Sequence, residues 1–233
     1  MEKQKLNSVL CRLAIGLLVI FNLYYFVFKR AYVLISPAHD DILTKPVYQA
    51  LREEYTQLNQ RLKGEKCILF IGDSITKGFH LQEYFPKYKI VNRGIYFDTT
   101  SGLLDRLGQN ADNLDPVKIF IQIGHNDLRY RTNEEILKNI ADIIKQFKSD
   151  VLYMQSVLPV GRRLKEFNRR ITDINQGIGD LCKKYGCTYV NLYDHFLDKN
   201  AGELYHEYSY DGVHLNRHGY VLWAKIIEPF LER

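Results

Sequence analysis

The chain has 233 residues, 46% of them hydrophobic and 25% charged, with a formal net charge of +5. This is the balance of a globular chain with one domain of ordinary size and an appendage; it excludes a disordered polypeptide and makes a metal or a disulfide framework unnecessary for folding. The basic residues fall in short scattered clusters, Arg129–Arg131, Arg162–Arg163 and Arg169–Arg170, and not on one face with stacking aromatics, so no nucleic-acid partner is expected.

The first feature along the chain is apolar. Leu13 to Phe28 reads LAIGLLVIFNLYYFVF, with Asn22 its one strongly polar residue. Extended back to Leu6, the run reaches the length of roughly 20 residues that spans a bilayer, with Arg12 able to snorkel to the headgroups. The expectation is a single-pass anchor over residues 1–30, followed by a linker over 31–45 and a catalytic domain over 46–233. A cleaved signal peptide, with Ser36-Pro37-Ala38 as a loose cleavage site, and a buried helix are the competing readings. Lys3, Lys5 and Arg12 before the run barely outnumber Lys29 and Arg30 after it, so charge sets orientation weakly. An extracytoplasmic catalytic domain is the expectation.

Helical spacing marks 46–63, with Pro46 suited to a first turn and Gly64 to a stop. Apolar runs then alternate with helical ones. Strands are predicted at Cys67–Ile71, Tyr88–Val91, Val117–Ile123, Val151–Val157 and Thr188–Leu192. Helices are predicted near 101–109, 134–148, 163–185 and 216–231. Continuous apolar strands separated by helices imply a parallel sheet covered on both faces. Cys11, Cys67, Cys182 and Cys187 form no CxxC pair; free thiols are expected, with a Cys182–Cys187 bridge left open. His214 and His218 stand four apart without an HExxH motif, so neither a metal nor another cofactor is expected.

In such sheets ligands bind beyond the carboxyl ends of the strands. The first strand runs into Gly72-Asp73-Ser74, the second into Asn92-Arg93-Gly94 and the third into Gly124-His125-Asn126-Asp127. Near the C-terminus stands Asp211-Gly212-Val213-His214, followed by Asn216 as a cap for the last helix. Each signature alone is better read as a cap or a turn. Four of them at one predicted sheet edge supply a nucleophile, a base, its orienting acid and oxyanion donors, which is the inventory of acyl transfer.

These blocks resemble those of the SGNH/GDSL hydrolases: GDS at 72–74, NRG followed by IYFDTTSGLL at 92–104, GHND at 124–127 and DGVH at 211–214, in the family's order. The resemblance covers about residues 65–233 and departs at Ile75-Thr76, where the named motif has Leu after Ser. It implies an α/β, flavodoxin-like three-layer sandwich with a five-stranded parallel sheet. It also implies Ser74 as nucleophile, His214 as base, Asp211 as its partner, and an oxyanion hole from the Ser74 and Gly94 N–H groups and the Asn126 side chain. Asp73, Tyr96 and His125 are the expected substrate-binding residues, and Tyr96, Phe97, Tyr205 and Tyr208 are candidates for an aromatic wall.

GHND resembles the block of some carbohydrate acetylesterases in this family. The stretch from Tyr205 onward resembles the branch that includes platelet-activating-factor acetylhydrolases and sialate esterases. The expected activity is therefore hydrolysis of small acyl esters, acetyl on a carbohydrate foremost. The alternatives are a lipid acylhydrolase of lysophospholipase or thioesterase type, and an O-acetyltransferase acting on a cell-envelope glycan.

Overall fold

The computed structural model describes residues 45–232 apart from Asp112. The chain divides between residues 41 and 42 into two units, and every described residue belongs to the second. The expected anchor, and the linker up to residue 44, lie outside the described residues. Among the described residues no helix is long and apolar enough to cross a membrane.

The elements follow the alternation read from the sequence. Helix α1 (Pro46–Arg61) leads into β1 (Lys66–Gly72), the short α2 (Ser74–Lys77) and α3 (Leu81–Tyr84), then β2 (Ile90–Gly94) and α4 (Thr100–Ala111). Next come β3 (Asp115–Gln122), a 3-10 turn (Asn126–Arg129), α5 (Asn133–Ile144), β4 (Leu152–Gln155), α6 (Phe167–Tyr185) and β5 (Thr188–Val190). After α7 (Tyr193–Phe196) a small antiparallel pair, β6 (Leu197–Asp198) and β7 (Glu203–Leu204), precedes the closing helix α8 (Arg217–Leu231). The five main strands are all parallel, in the order β2-β1-β3-β4-β5, which is the flavodoxin-like order.

Strand period two explains the layers. Leu69 and Ile71 of β1 join Ile119 and Ile121 of β3 on one face, packed on Leu103 of α4, Ile136 and Ile140 of α5, and Ile171, Ile174 and Ile178 of α6. Ile68, Phe70 and Phe120 point the other way, toward Phe79, Phe196 and Trp223, Ile227 and Leu231 of α8. Phe70, Phe120 and Tyr153 stack across three strands at centroid spacings of 4.6 Å. Both faces being covered is why the strands read as unbroken apolar runs.

Several boundaries differ from expectation: β4 keeps only Leu152–Gln155 of the predicted 151–157, β5 only Thr188–Val190, and α5 ends at Ile144 and not at 148. Two further differences have a visible cause. Strand β2 begins at Ile90 and continues through Asn92-Arg93-Gly94, which pair with Phe70, Ile71 and Gly72. Polar residues belong there because their side chains have partners: Asn92 Nδ2 donates to the Thr76 and Phe79 carbonyls, and Arg93 donates twice to Asn59 Oδ1 of α1. Helix α6 begins at Phe167, four residues after the predicted 163, because a 3-10 turn takes Arg162–Leu164. Cys67, Cys182 and Cys187 are buried free thiols, so the bridge left open above is not formed.

A layer of buried polar groups underlies the carboxyl ends of the strands. Asp73, Asp98, Arg106 and Asp127 are all 0% exposed. Asp98 accepts from Arg106 Nε at 2.7 Å, Tyr48 Oη at 2.9 Å and the Thr99 N–H at 2.9 Å. Arg106 also donates to the Gly72 carbonyl at 3.0 Å. Asp127 accepts from the Thr100 hydroxyl at 2.6 Å and its N–H at 2.9 Å. Asp73 is less well matched: Oδ1 caps α2 through the Ile75 N–H at 2.9 Å, while Oδ2 has no partner among the described residues.

Burial, reinforced by the Asp98 and Asp127 carboxylates, pushes the Asp73 carboxyl up to about 7 against the hydrogen bond from Ile75. Between the ordinary carboxylate range and about 7, the folded chain therefore holds a proton on Asp73 that the unfolded chain has lost. With more protons bound to the folded state, this group's contribution to stability is full below the unfolded value and declines as pH rises through the folded one. Asp73→Asn keeps the cap and removes the titration. Its stability relative to wild type should rise by on the order of 2–4 kcal/mol between about pH 4 and pH 8. Thermal unfolding across that range checks this; two parallel curves would show that Asp73 is ionised throughout.

Candidate active site

Strand β1 delivers the first residue. Its last residue, Gly72, lies level with Gly94 of β2 and Gln122 of β3. A side chain at Gly72 would collide with the Gln122 carbonyl and the Thr76 hydroxyl. The tight exit places Asp73 as N-cap and Ser74 as the first residue of α2, half-buried at the carboxyl edge of the sheet.

The second contribution comes from the loop before α8. Asn216 caps that helix, accepting from the Gly219 N–H at 3.1 Å. The loop is closed by Ser209, whose hydroxyl donates to the His214 carbonyl at 2.7 Å and accepts from the Gly212 N–H at 2.8 Å. Gly212 has a φ of 85° and its carbonyl accepts from the Gly161 N–H at 2.8 Å. A left-handed residue in such close contact with a neighbouring backbone favours glycine. The result brings three predicted residues into one line. Ser74 Oγ lies 3.0 Å from His214 Nε2, and His214 Nδ1 lies 2.7 Å from Asp211 Oδ2.

Asp211 is well set to stay ionised. Partial desolvation works against its charge, but the His214 ring and the His214 and Val213 N–H groups, at 2.8 and 2.9 Å, bring it down to about 2. An ionised Asp211 fixes the imidazole tautomer so that Nε2 faces the serine hydroxyl, and it stabilises the imidazolium formed when that proton is taken.

Asn126, at the start of the 3-10 turn after β3, is anchored by Nδ2 to the Asp98 carbonyl at 2.8 Å. It lines the cavity that holds His214, leaving one amide hydrogen for a ligand. His125 lines the same cavity, 8% exposed, with neither ring nitrogen partnered among the described residues. Burial, and then neighbouring His214, lower it to about 4. At neutral pH it is an uncharged ring offering one donor and one acceptor.

Three expected residues stand elsewhere. The Gly94 N–H, expected to face an oxyanion, donates to Asn92 Oδ1 at 2.9 Å. A side chain at Gly94 would collide with the Lys77 backbone, so glycine here admits α2 and not a ligand. Asp73, expected to touch substrate, is wholly buried beneath Ser74. Tyr96 is not among the residues lining the cavity of His214; it lines a separate apolar hollow of about 290 Å³ with Pro46, Val47 and Leu51. Of the proposed aromatic wall, Phe97 lines the cavity, whereas Tyr205 and Tyr208 pack edge-on against each other and Tyr208 against Phe196.

The sequence reading missed the rest of the cavity, about 430 Å³ in volume. Val160, Leu164, Phe167 and Val213 give it an apolar side, and Lys45, Arg129 and Tyr130 a polar rim. It also missed Phe97 as a backbone feature: this non-glycine residue has a φ of 64° on the cavity wall, a conformation that bulky residues seldom adopt and that concentrates at functional sites.

Comparison with known proteins places the chain in a family. The model of the GDSL-like lipase/acylhydrolase family matches residues 70–222. The chain is 32% identical over 113 residues to N-acylneuraminate cytidylyltransferase of Escherichia coli, a match covering 45% of this chain and 26% of that protein. The chain therefore spans about a quarter of that relative's length. It is 26% identical over 187 residues to platelet-activating factor acetylhydrolase IB subunit alpha1 of Rattus norvegicus, covering 72% of this chain and 76% of that one. A solved structure from Streptococcus pneumoniae, described as a candidate platelet activating factor, superimposes with a TM-score of 0.74 at 33% identity, covering 82% of this chain and 95% of its own. With more than half of its length matched by the family model, the chain belongs to the GDSL-like lipase/acylhydrolase family and is a carboxylic ester hydrolase.

Proposed function

We propose that the protein is a serine esterase that removes small acyl groups, acetyl foremost, from a carbohydrate. The observation that carries the mechanism is the unbroken line from Ser74 Oγ through His214 to Asp211, at 3.0 and 2.7 Å. Ser74 Oγ attacks the ester carbonyl as its proton passes to His214 Nε2. The oxyanion meets the Ser74 N–H and the free N–H of Asn126. The third amide we assign to Phe97, whose left-handed backbone stands on the cavity wall. Collapse expels the alcohol, which takes the proton from His214. Water then attacks the acyl-enzyme and gives its proton to the same nitrogen; as the acid is released, the Ser74 Oγ–acyl bond breaks and Oγ takes that proton back from His214.

Acetyl is favoured by the likeness to a platelet-activating factor acetylhydrolase. Carbohydrate is favoured by the GHND block and by the likeness of part of the chain to an enzyme of N-acylneuraminate. A lipid acylhydrolase is the second reading, because the apolar hollow beneath Tyr96 shares Lys45 and Phe97 with the catalytic cavity and could receive an apolar chain. We propose further that residues 1–30 hold the protein in a membrane with this domain outside the cytoplasm, a reading supported by the apolar run Leu13–Phe28.

Ser74→Ala should lower ester hydrolysis by on the order of 10³-fold or more with unchanged thermal unfolding. A fluorophosphonate probe should label the wild type and not the variant; equal labelling of both would remove Ser74 from the nucleophile's role. Across p-nitrophenyl esters, kcat/KM should be highest for acetate and fall toward octanoate, whereas a steady rise with chain length would select the lipid reading. For the anchor, the full chain should stay in the membrane fraction through a carbonate wash, and protease added to intact cells should remove the catalytic domain. Protection until lysis would place the active site in the cytoplasm.

A further inference from the structure

The cavity beside His214 is unevenly charged. Its lining brings two cations, Lys45 and Arg129, against one carboxylate, Asp211. Asp211 is already answered: it accepts from the His214 ring and from two backbone N–H groups. The cations have no carboxylate partner among the described residues. Lys45 lies 5.8 Å from the centroid of the Phe97 ring. The Arg129 guanidinium makes no hydrogen bond or ion pair among the described residues.

An exposed cation is ordinarily only a solvated one. The surroundings of Arg129 argue for more. Its neighbours are tied down: Arg131 reaches the Ser101 hydroxyl at 2.8 Å and Asp127 at 3.6 Å. Arg170, from α6, donates to the Leu128 carbonyl at 2.6 Å, the Arg131 carbonyl at 2.7 Å and Asn133 Oδ1 at 3.0 Å. Those two carbonyls bracket Arg129 and Tyr130. The fold thus clamps both ends of the segment that carries Arg129 to the cavity rim, while the guanidinium itself has no partner among the described residues. The same cavity holds His125, nine-tenths buried, with both ring nitrogens unpartnered among the described residues. A neutral hydrogen-bonding ring on one wall and two cations at the rim with no carboxylate partner among the described residues are what a polar, negatively charged ligand requires.

We infer that the site selects an acetylated sugar carrying an anionic group, a carboxylate or a phosphate, held between Lys45 and Arg129. This rests on the esterase reading above and names its substrate class. The anion sits on the sugar, the alcohol part of the ester, and leaves with it after acyl transfer. Arg129 supplies a planar fork to the anion and Lys45 a point charge, and both attract such a substrate over a distance that salt shortens.

The test compares methyl O-acetylglucuronoside with methyl O-acetylglucoside acetylated at the same hydroxyl, a pair that differs only in its carboxylate. Binding to the full-length Ser74→Ala protein is measured by titration calorimetry, and kcat/KM for the same pair is measured with the wild type. The acidic sugar should bind about tenfold more tightly at low salt, and the ratio should shrink toward one in ~0.5 M salt. Arg129→Gln and Lys45→Gln, placed in the same background, should each reduce the ratio, and the double variant should abolish it. Equal binding of the two sugars, or a preference that survives in the double variant, overturns the inference. A preference shown only between an acetylglycerol phosphate and its neutral alcohol overturns the sugar in favour of a lipid. If the wild type cleaves neither sugar nor p-nitrophenyl acetate, the esterase reading fails separately, and the binding ratio still decides whether the cavity selects an anion.

Discussion

The geometry of the site depends on one buried ion pair, Asp98 with Arg106. Both side chains are fully buried and 2.7 Å apart. Ions taken out of water are costly, and such a pair holds only if its remaining hydrogen-bonding capacity is filled. Here it is filled by groups from four segments: Tyr48 of α1, the Thr99 N–H of the loop after β2, the Gly72 carbonyl of β1 and Asn110 of α4. The backbone of Asp98 then receives Asn126. Removing either partner of a buried pair typically costs about 3–5 kcal/mol, because the other charge is left uncompensated. Its present value is geometric: one guanidinium and one carboxylate set the relative positions of the β1 exit, the loop after β2 and the amide after β3.

The two halves of the catalytic line are supported in different ways. Ser74 and Asn126 rest on the buried polar layer. Asp211 and His214 sit on a loop whose side chains are about half exposed, 51% and 49%, and that loop is held by short local bonds: Ser209 to the His214 carbonyl, Gly212 to Ser209, and Gly161 to Gly212. Such a loop is cheaper to displace than the strand ends. Motion at the site is therefore expected to be motion of the acid and base relative to a fixed nucleophile.

Much of this was legible in the sequence for a simple reason. A parallel sheet buried on both faces turns strands into apolar runs, so Ile68 to Ile71 and Ile119 to Ile123 could be found without alternation. The catalytic blocks were legible because their order matched their expected places at one sheet edge. What escaped was long-range and polar. Arg106 and Asp98 look like surface charges in the sequence, since nothing local reveals that Gly72, 34 residues earlier, presents a carbonyl to the guanidinium. Gly94 misled because a glycine at a strand end looks the same whether it admits a ligand or a neighbouring backbone. Phe97 was named for its ring, but its left-handed backbone escaped because a bulky residue gives no sign of it.

The exposure of Asp211 and His214 also determines what a substrate must do. Charges half open to water attract one another weakly, at an effective dielectric well above that of a protein interior. The hydrogen bonds of the line are short in the free enzyme, yet the imidazolium formed during reaction would be screened by solvent on its open side. The apolar wall of Val160, Leu164, Phe167 and Val213 covers only one flank of the cavity. A bound ligand adds cover on the side of the polar rim. A ligand that fills the cavity between that wall and the polar rim displaces water from His214 and strengthens the attraction of Asp211 for the developing cation at the moment it forms. A small acyl ester with no body on its alcohol side would leave the side of the polar rim wet. The alcohol part of the substrate therefore contributes to the rate of the chemical step as well as to affinity.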